Sequence, residues 1–196
     1  MVATRSNEVG TATRILDVAE QLVQVRGFNA FSYADVAAEL KISKPALHYH
    51  FAGKGELGEA LIARYSEHFR LALVDLDTNV TTPADKLAGY AALYRGVLQR
   101  HRMCLCGMLA ADYQTLPAPM QALVIGFFDF NESWLASVLD QGAADGTLRF
   151  DGPSRDVARM IIGGLEGAVL VARPYDDISR FDAAAANLLG ALTRTV

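Results

Sequence analysis

The stretch FSYADVAAELKISKPALHYHFAGKGEL, Phe31 to Leu57, reads as two short helices, a tight turn between them, and the start of a longer third. Phe31, Val36, Ala37 and Leu40 recur at helical spacing. Lys41-Ile42-Ser43 is the turn, with Ile42 as its apolar plug and Ser43 placed to cap the next helix. Pro45 falls in the first turn of that helix, where a missing N–H costs little. Leu47 and Phe51 are four apart and anchor one face. At about 100° per residue, Pro45 and Tyr49 point the other way, flanked by Lys44 and His48 on one side and Ala46 and His50 on the other. A helix this short builds no core of its own. Its outward face, cationic, aromatic and small together, suits a DNA major groove, and it equally describes the polar outside of an ordinary helical hairpin.

From Thr13 to Leu57 the order TRILDVAEQL, RGF, FSYADVAAEL, IS, KPALHYHF and GKGEL resembles the N-terminal DNA-binding domain of the TetR family of bacterial transcription regulators. The resemblance implies phosphate contacts from Tyr49, His50 and Lys54. Two positions depart from the family pattern. Lys41 stands where a turn glycine is usual, and a left-handed backbone there costs on the order of 1 kcal/mol. His48 stands where a tyrosine is usual. On the residues themselves, Ser32 and Tyr33 open a helix whose N-terminus can meet a phosphate, and Lys44, Pro45 and Ala46 are the candidates for base edges. The expected DNA-binding set is therefore Ser32, Tyr33, Lys44, Pro45, Ala46, His48, Tyr49, His50 and Lys54.

Composition frames this. The chain has 196 residues, 52% hydrophobic and 20% charged, with a net charge of −4. So apolar a chain suggests an internal cavity, an oligomer interface, or both. Residues 1–55 hold six Lys and Arg against five Asp and Glu, and the rest holds twelve against seventeen. The head is thus the only net-positive part, but at +1 its attraction for DNA is weak and binding must depend on dimerisation. Residues 1–10 lack an apolar run and read as a mobile arm, not a signal peptide. The longest uncharged run, Tyr113–Phe128, is 16 residues long and contains Pro117 and Pro119. A cytoplasmic protein without a membrane partner is the expectation.

The fold class read from these patterns is all-α, with about nine helices. A three-helix head with its helix-turn-helix occupies residues 1–55, and a larger helical body for effector binding and dimerisation occupies 56–196. The first helix buries Ile15, Ala19, Leu22 and Val23 and ends at Gly27. The fourth, Lys54 to about Leu76, is about 35 Å long and links head to body. Helices follow over Pro83–Arg100, Gly107–Leu116, Met120–Ala144, Ser154–Ala172 and Arg180–Arg194.

In the last two helices Gly163, Gly164, Gly167, Ala168, Leu188, Leu189 and Leu192 form a small-residue and leucine surface that lets helix axes approach. The resemblance implies a homodimer through these helices, whose paired heads read half-sites about 34 Å apart in a near-palindromic operator. Within the body, Tyr90, Tyr94, Met103, Met108, Tyr113, Phe127, Phe128 and Trp134 offer aromatic and sulfur-bearing walls, with Asn131 and Glu166 as polar fixers. Each is also ordinary core. The resemblance implies a small-molecule effector pocket there, and the apolar lining implies an apolar or aromatic effector.

His101-Arg-Met-Cys104-Leu-Cys106 has three readings: buried thiols, a thiol switch through Cys104 and Cys106, and a three-ligand metal site with His101. No metal or cofactor is expected. Glycine-rich phosphate loops, G-x-S-x-G and H-E-x-x-H are all missing, so an enzyme is not expected. The expected function is a ligand-responsive DNA-binding regulator, most simply a repressor released from its operator by the effector. A redox-responsive regulator and a helical adaptor without DNA activity are the alternatives.

Overall fold

The computed structural model describes residues 2–193, with side chains from Gly10 onward. Every long element among them is an α-helix: α1 (Val2–Arg26), α2 (Tyr33–Leu40), α3 (Lys44–His50), α4 (Lys54–Asn79), α5 (Pro83–Gln99), α6 (Leu105–Ala111), α7 (Ala118–Ala144), α8 (Ser154–Ala172) and α9 (Ile178–Thr193). Single 3-10 turns stand at Tyr113–Thr115 and Arg173–Tyr175.

The helices divide into two compact units, residues 1–67 with 105–124, and residues 68–104 with 125–196. This differs from the expected boundary after residue 55. The division falls inside α4, and the α6 segment, expected in the body, belongs to the first unit.

The reason is a set of long-range bonds within that unit. α1 ends at Gly27, whose φ of +90° only glycine adopts freely. A Cβ there would also lie 3.2 Å from the Asp112 carboxylate. That carboxylate accepts from Phe28 N at 2.8 Å and, at 3.4 Å, from Asn29 N, while the Asn29 amide donates to Thr115 Oγ1 at 2.7 Å. Asp112 thereby stops α6 at Ala111 and turns the chain into the 3-10 turn, where one continuous helix to Leu116 was expected. α4 is tied to α1 by Arg64, which holds Asp17 at 2.7 Å and Glu20 at 2.6 Å. Ile15, Val23, Phe28, Val36, Leu47, Leu57 and Leu109 fill the core between.

α1 has already begun before Thr11 and Thr13, at Val2, so the stretch expected as an arm continues the first helix. The expected end of α9 at Arg194 lies outside the described residues.

In the second unit α8 packs on α9 and α5 on both. Asp182 of α9 takes Arg95 of α5 in a two-bond pair at 2.8 and 3.1 Å. Asp77, still helical just past the expected end of α4 near Leu76, accepts from Lys86 and from the Trp134 indole, both at 2.8 Å. α7 is long and apolar enough to cross a membrane by length and composition, contrary to the expectation for that region. Its Phe127, Asn131, Leu135, Val138 and Leu139 side is buried in protein, and Asp129, Asp140 and Gln141 are exposed together with Leu123, Ile125 and Phe130.

Candidate nucleic-acid interface

Local chemistry fixes the two helices of the turn. Ser32 donates through both its amide and its hydroxyl to Asp35 Oδ2, each at 2.7 Å, and sets the start of α2. Those bonds hold the Asp35 carboxyl below its ordinary pKa. α2 ends at Lys41, which is left-handed at φ 55° and turns its N–H back to the carbonyls of Ala37 and Ala38. The lysine thus takes the conformation its usual glycine would, and Ile42 is half-buried beneath it. Ser43 Oγ accepts from Ala46 N at 3.3 Å and opens α3, with Pro45 in its first turn.

α3 shows the division expected from its wheel. Leu47 is fully buried and Phe51 nearly so, whereas Lys44, Pro45 and His48 are exposed and Tyr49 is 72% exposed. Ala46 and His50 are half-buried, and the His50 ring meets Tyr49 edge-on at 5.3 Å.

Three expected contacts have inward partners. Tyr33 donates its hydroxyl to Phe51 O at 3.0 Å, and burial, with the Glu56 carboxylate next, pushes its phenol up to about 12. The His48 ring lies 4.8 Å from that of Tyr33, and its Nδ1 is 3.1 Å from Ala52 O, a contact that requires the proton on Nδ1. Lys54 donates from Nζ to Phe31 O at 2.5 Å and sits over the Phe28 and Phe31 rings at 4.6 and 4.4 Å. Burial holds its ammonium below the ordinary lysine value, against the pull of Asp112 and Asp35. These three brace the ends of α2 and α3. Lys54→Ala is therefore expected to destabilise the free protein by on the order of 1–2 kcal/mol, read as a lower melting point before DNA is added. Unchanged melting with weakened operator binding would return Lys54 to a phosphate role.

The expected effector residues are divided between the two units. Met108 and Tyr113 lie in the first unit; Tyr90, Tyr94, Met103, Phe127, Phe128, Asn131, Trp134 and Glu166 lie in the second. Most of the latter are packed interior, with Tyr90, Tyr94, Met103, Phe127 and Asn131 nearly inaccessible. A cavity of about 590 Å³ in the second unit is lined instead by Leu98, Gln99, His101, Arg173, Asp176, Asp177 and Ile178. A smaller groove of about 290 Å³ runs along α5 and α9 past Ala92, Arg95 and Leu189. His101 pairs with Asp176 at 2.9 Å, and both cysteines are buried. On the expected dimer surface, Gly163 and Gly164 are exposed and Gly167, Ala168, Leu188 and Leu189 half-buried. Leu192 is 3% exposed, turned inside its own unit, and has no surface to offer a partner. Met160, Leu170 and Val171, not anticipated, are 49–61% exposed on α8. Their signal was the apolar i, i+3, i+4 continuation on either side of the glycines.

A short helix anchored by one face, capped at both ends of its turn and exposing Lys44, Pro45 and Tyr49, defines a helix-turn-helix DNA-binding protein. The profile of bacterial regulatory proteins of the tetR family matches residues 15–61. A TetR-family transcriptional regulator from Agrobacterium tumefaciens is 30% identical, superposes with a TM-score of 0.92, and the match covers 95% of this chain and all of that one. A TetR transcriptional regulator from Legionella pneumophila is 32% identical, with a TM-score of 0.82 over 91% of this chain and 95% of its own. The transcriptional regulator AcuR of Cereibacter sphaeroides is 26% identical over 153 residues, 76% of this chain and 69% of AcuR. The chain belongs to the TetR family of bacterial transcription regulators. It is a DNA-binding regulator, and the adaptor alternative falls away.

Proposed function

We propose that the protein is a ligand-responsive repressor that binds a near-palindromic operator as a homodimer and leaves it when a small molecule enters the second unit. The observation that carries the DNA part is the exposed Lys44, Pro45 and Tyr49 face of α3, held on Leu47 and Phe51. The dimer part rests on the apolar, small-residue stripe of α8, Met160, Gly163, Gly167, Leu170 and Val171, which recurs at three- and four-residue intervals and leaves its large members half-exposed or more. A second copy meeting it two-fold gives a four-helix bundle. The ligand part rests on the polar atoms enclosed in the second unit. α4 contributes residues to both units, so a ligand that favours one setting of this helix changes the spacing of two heads. A tenfold loss of operator affinity needs about 1.4 kcal/mol of preference between settings.

Gel shifts on DNA upstream of the protein's own gene test the DNA part, with a thermal-shift screen of small molecules for the ligand part. Lys44→Ala is expected to relax sequence preference at one base pair per half-site, by about 1–3 kcal/mol, measured by competition among operator variants. Unaltered preference would remove Lys44 from base reading. The thiol-switch reading is weaker: Cys104 and Cys106 are 1% and 0% exposed, whereas reactive thiols sit where oxidants reach them.

A further inference from the structure

Within the second unit, two buried side-chain oxygens lack a hydrogen-bond partner: Glu166 Oε1 and Asn131 Oδ1. No buried nitrogen or hydroxyl among that unit's described residues shares the condition. Asn131 is fully inaccessible, and its amide nitrogen is already committed to Phe127 O at 2.7 Å. A carboxyl and a carboxamide oxygen left without donors destabilise the fold, so an occupant that supplies donors is favoured.

The surroundings narrow that occupant. Tyr94 and Cys104 donate to the Glu166 carboxyl. Tyr90 and Tyr94 set their hydroxyls 3.4 Å apart. The Trp134 ring stacks on Tyr90 at 5.8 Å, and Phe69 presents its edge to Tyr90, Tyr94 and Phe127. Asn131 follows Phe127 by one turn of α7 and precedes Trp134 by three residues, which puts it on the α7 side that meets this aromatic layer. The lysine one turn before Tyr90, Lys86, is committed to Asp77. The layer therefore combines aromatic faces, unfilled acceptors and one carboxyl, with its cation already paired. Aromatic faces and a carboxylate attract a desolvated cation and repel an anion.

We propose that the Glu166 carboxyl, with Tyr94 at its side and the Tyr90 and Trp134 rings beyond, is the recognition point for a small organic ammonium that carries at least one N–H and an apolar body. This rests on the effector reading above and names its ligand class. The ammonium donates to Glu166 Oε1, its apolar part lies against the rings, and entry parts the packed aromatic layer. Burial raises the Glu166 carboxyl to about 7, so the anionic form that attracts the ligand dominates above that pH; the Tyr90 and Tyr94 phenols beside it are pushed far up and stay neutral.

The test uses the full chain with three matched probes: benzylammonium, benzyl alcohol and benzoate. Calorimetric titration at pH 8 is expected to give benzylammonium at least about tenfold tighter binding than benzyl alcohol, with benzoate weakest. The ammonium-to-alcohol ratio is expected to fall about tenfold between pH 8 and pH 6, as Glu166 takes up its proton. Glu166→Gln brings the ratio near one at both pH values. If that variant does not fold, the wild-type pH profile still decides. Equal binding of ammonium and alcohol, or a ratio indifferent to pH, overturns the ammonium site. Operator release by the alcohol or benzoate would then still support an effector-controlled repressor. Binding by none of the probes overturns the ammonium site too, and leaves the effector reading to the broader thermal-shift screen.

Discussion

Leu47→Ala should cost the protein 2–5 kcal/mol, on the order seen for large-to-small changes at fully buried sites, and abolish operator binding. Tyr49→Ala, two residues on, should leave the melting point almost unmoved while weakening operator binding at every sequence. The contrast follows from how α3 is made. Seven residues are too few to hold helical structure alone. What fixes them is the Ser43 cap, Phe51 at the exit and Leu47, whose side chain is wholly enclosed. Removing its methyls leaves a cavity at the point where α3 is held, and the helix loses its orientation with its packing. Tyr49 is 72% exposed and contributes little to that packing. Melting curves with gel shifts on the same two variants settle the matter. A Leu47→Ala protein that melts normally, or still binds operator, would show that α3 is not held from this face.

The wheel of α3 was legible in the sequence because helical periodicity reports which side is buried without reference to any neighbour. Caps were legible for the same local reason: Ser43 and the Lys41 turn are short-range chemistry. Asp112 was not. Its carboxylate binds amides 83 and 84 residues away, and nothing in its own neighbourhood marks it as the residue that closes the end of α1. The α6 segment joins the first unit together with that bond, whereas it was expected with the body. Lys54 shows a related gap. Motif position implied a phosphate, whereas its ammonium meets a carbonyl and two rings that are adjacent only after folding. In the second unit the aromatic residues were identified by type, but type alone does not separate a packed layer from a cavity wall. The difference lies in which oxygens remain without donors, and that is known only once every partner has been placed.

Glu166 gives the second large effect, and its sign depends on pH. The carboxyl stands at about 7 when folded, chiefly through burial, and regains its ordinary 4.5 when unfolded. Between those values the folded protein binds the proton more tightly, so the protonated group's contribution is complete below pH 4.5 and is lost as pH rises through 7. By pH 8 the folded protein holds a buried carboxylate, at a cost on the order of 3 kcal/mol relative to pH 4.5. Glu166→Gln keeps an oxygen to accept from Tyr94 and Cys104 but has no charge to bury. The variant should therefore melt higher than the wild type at pH 8, by roughly 6–12 °C for a chain of this length, and nearly level with it at pH 5. A gap that is the same at both pH values would mean that Glu166 does not change its charge over this range. Benzylammonium adds a further discrimination. Bound at pH 8, it compensates the buried carboxylate and closes the gap by raising the wild type, while leaving Glu166→Gln where it was; an equal rise in both proteins would place the ligand elsewhere.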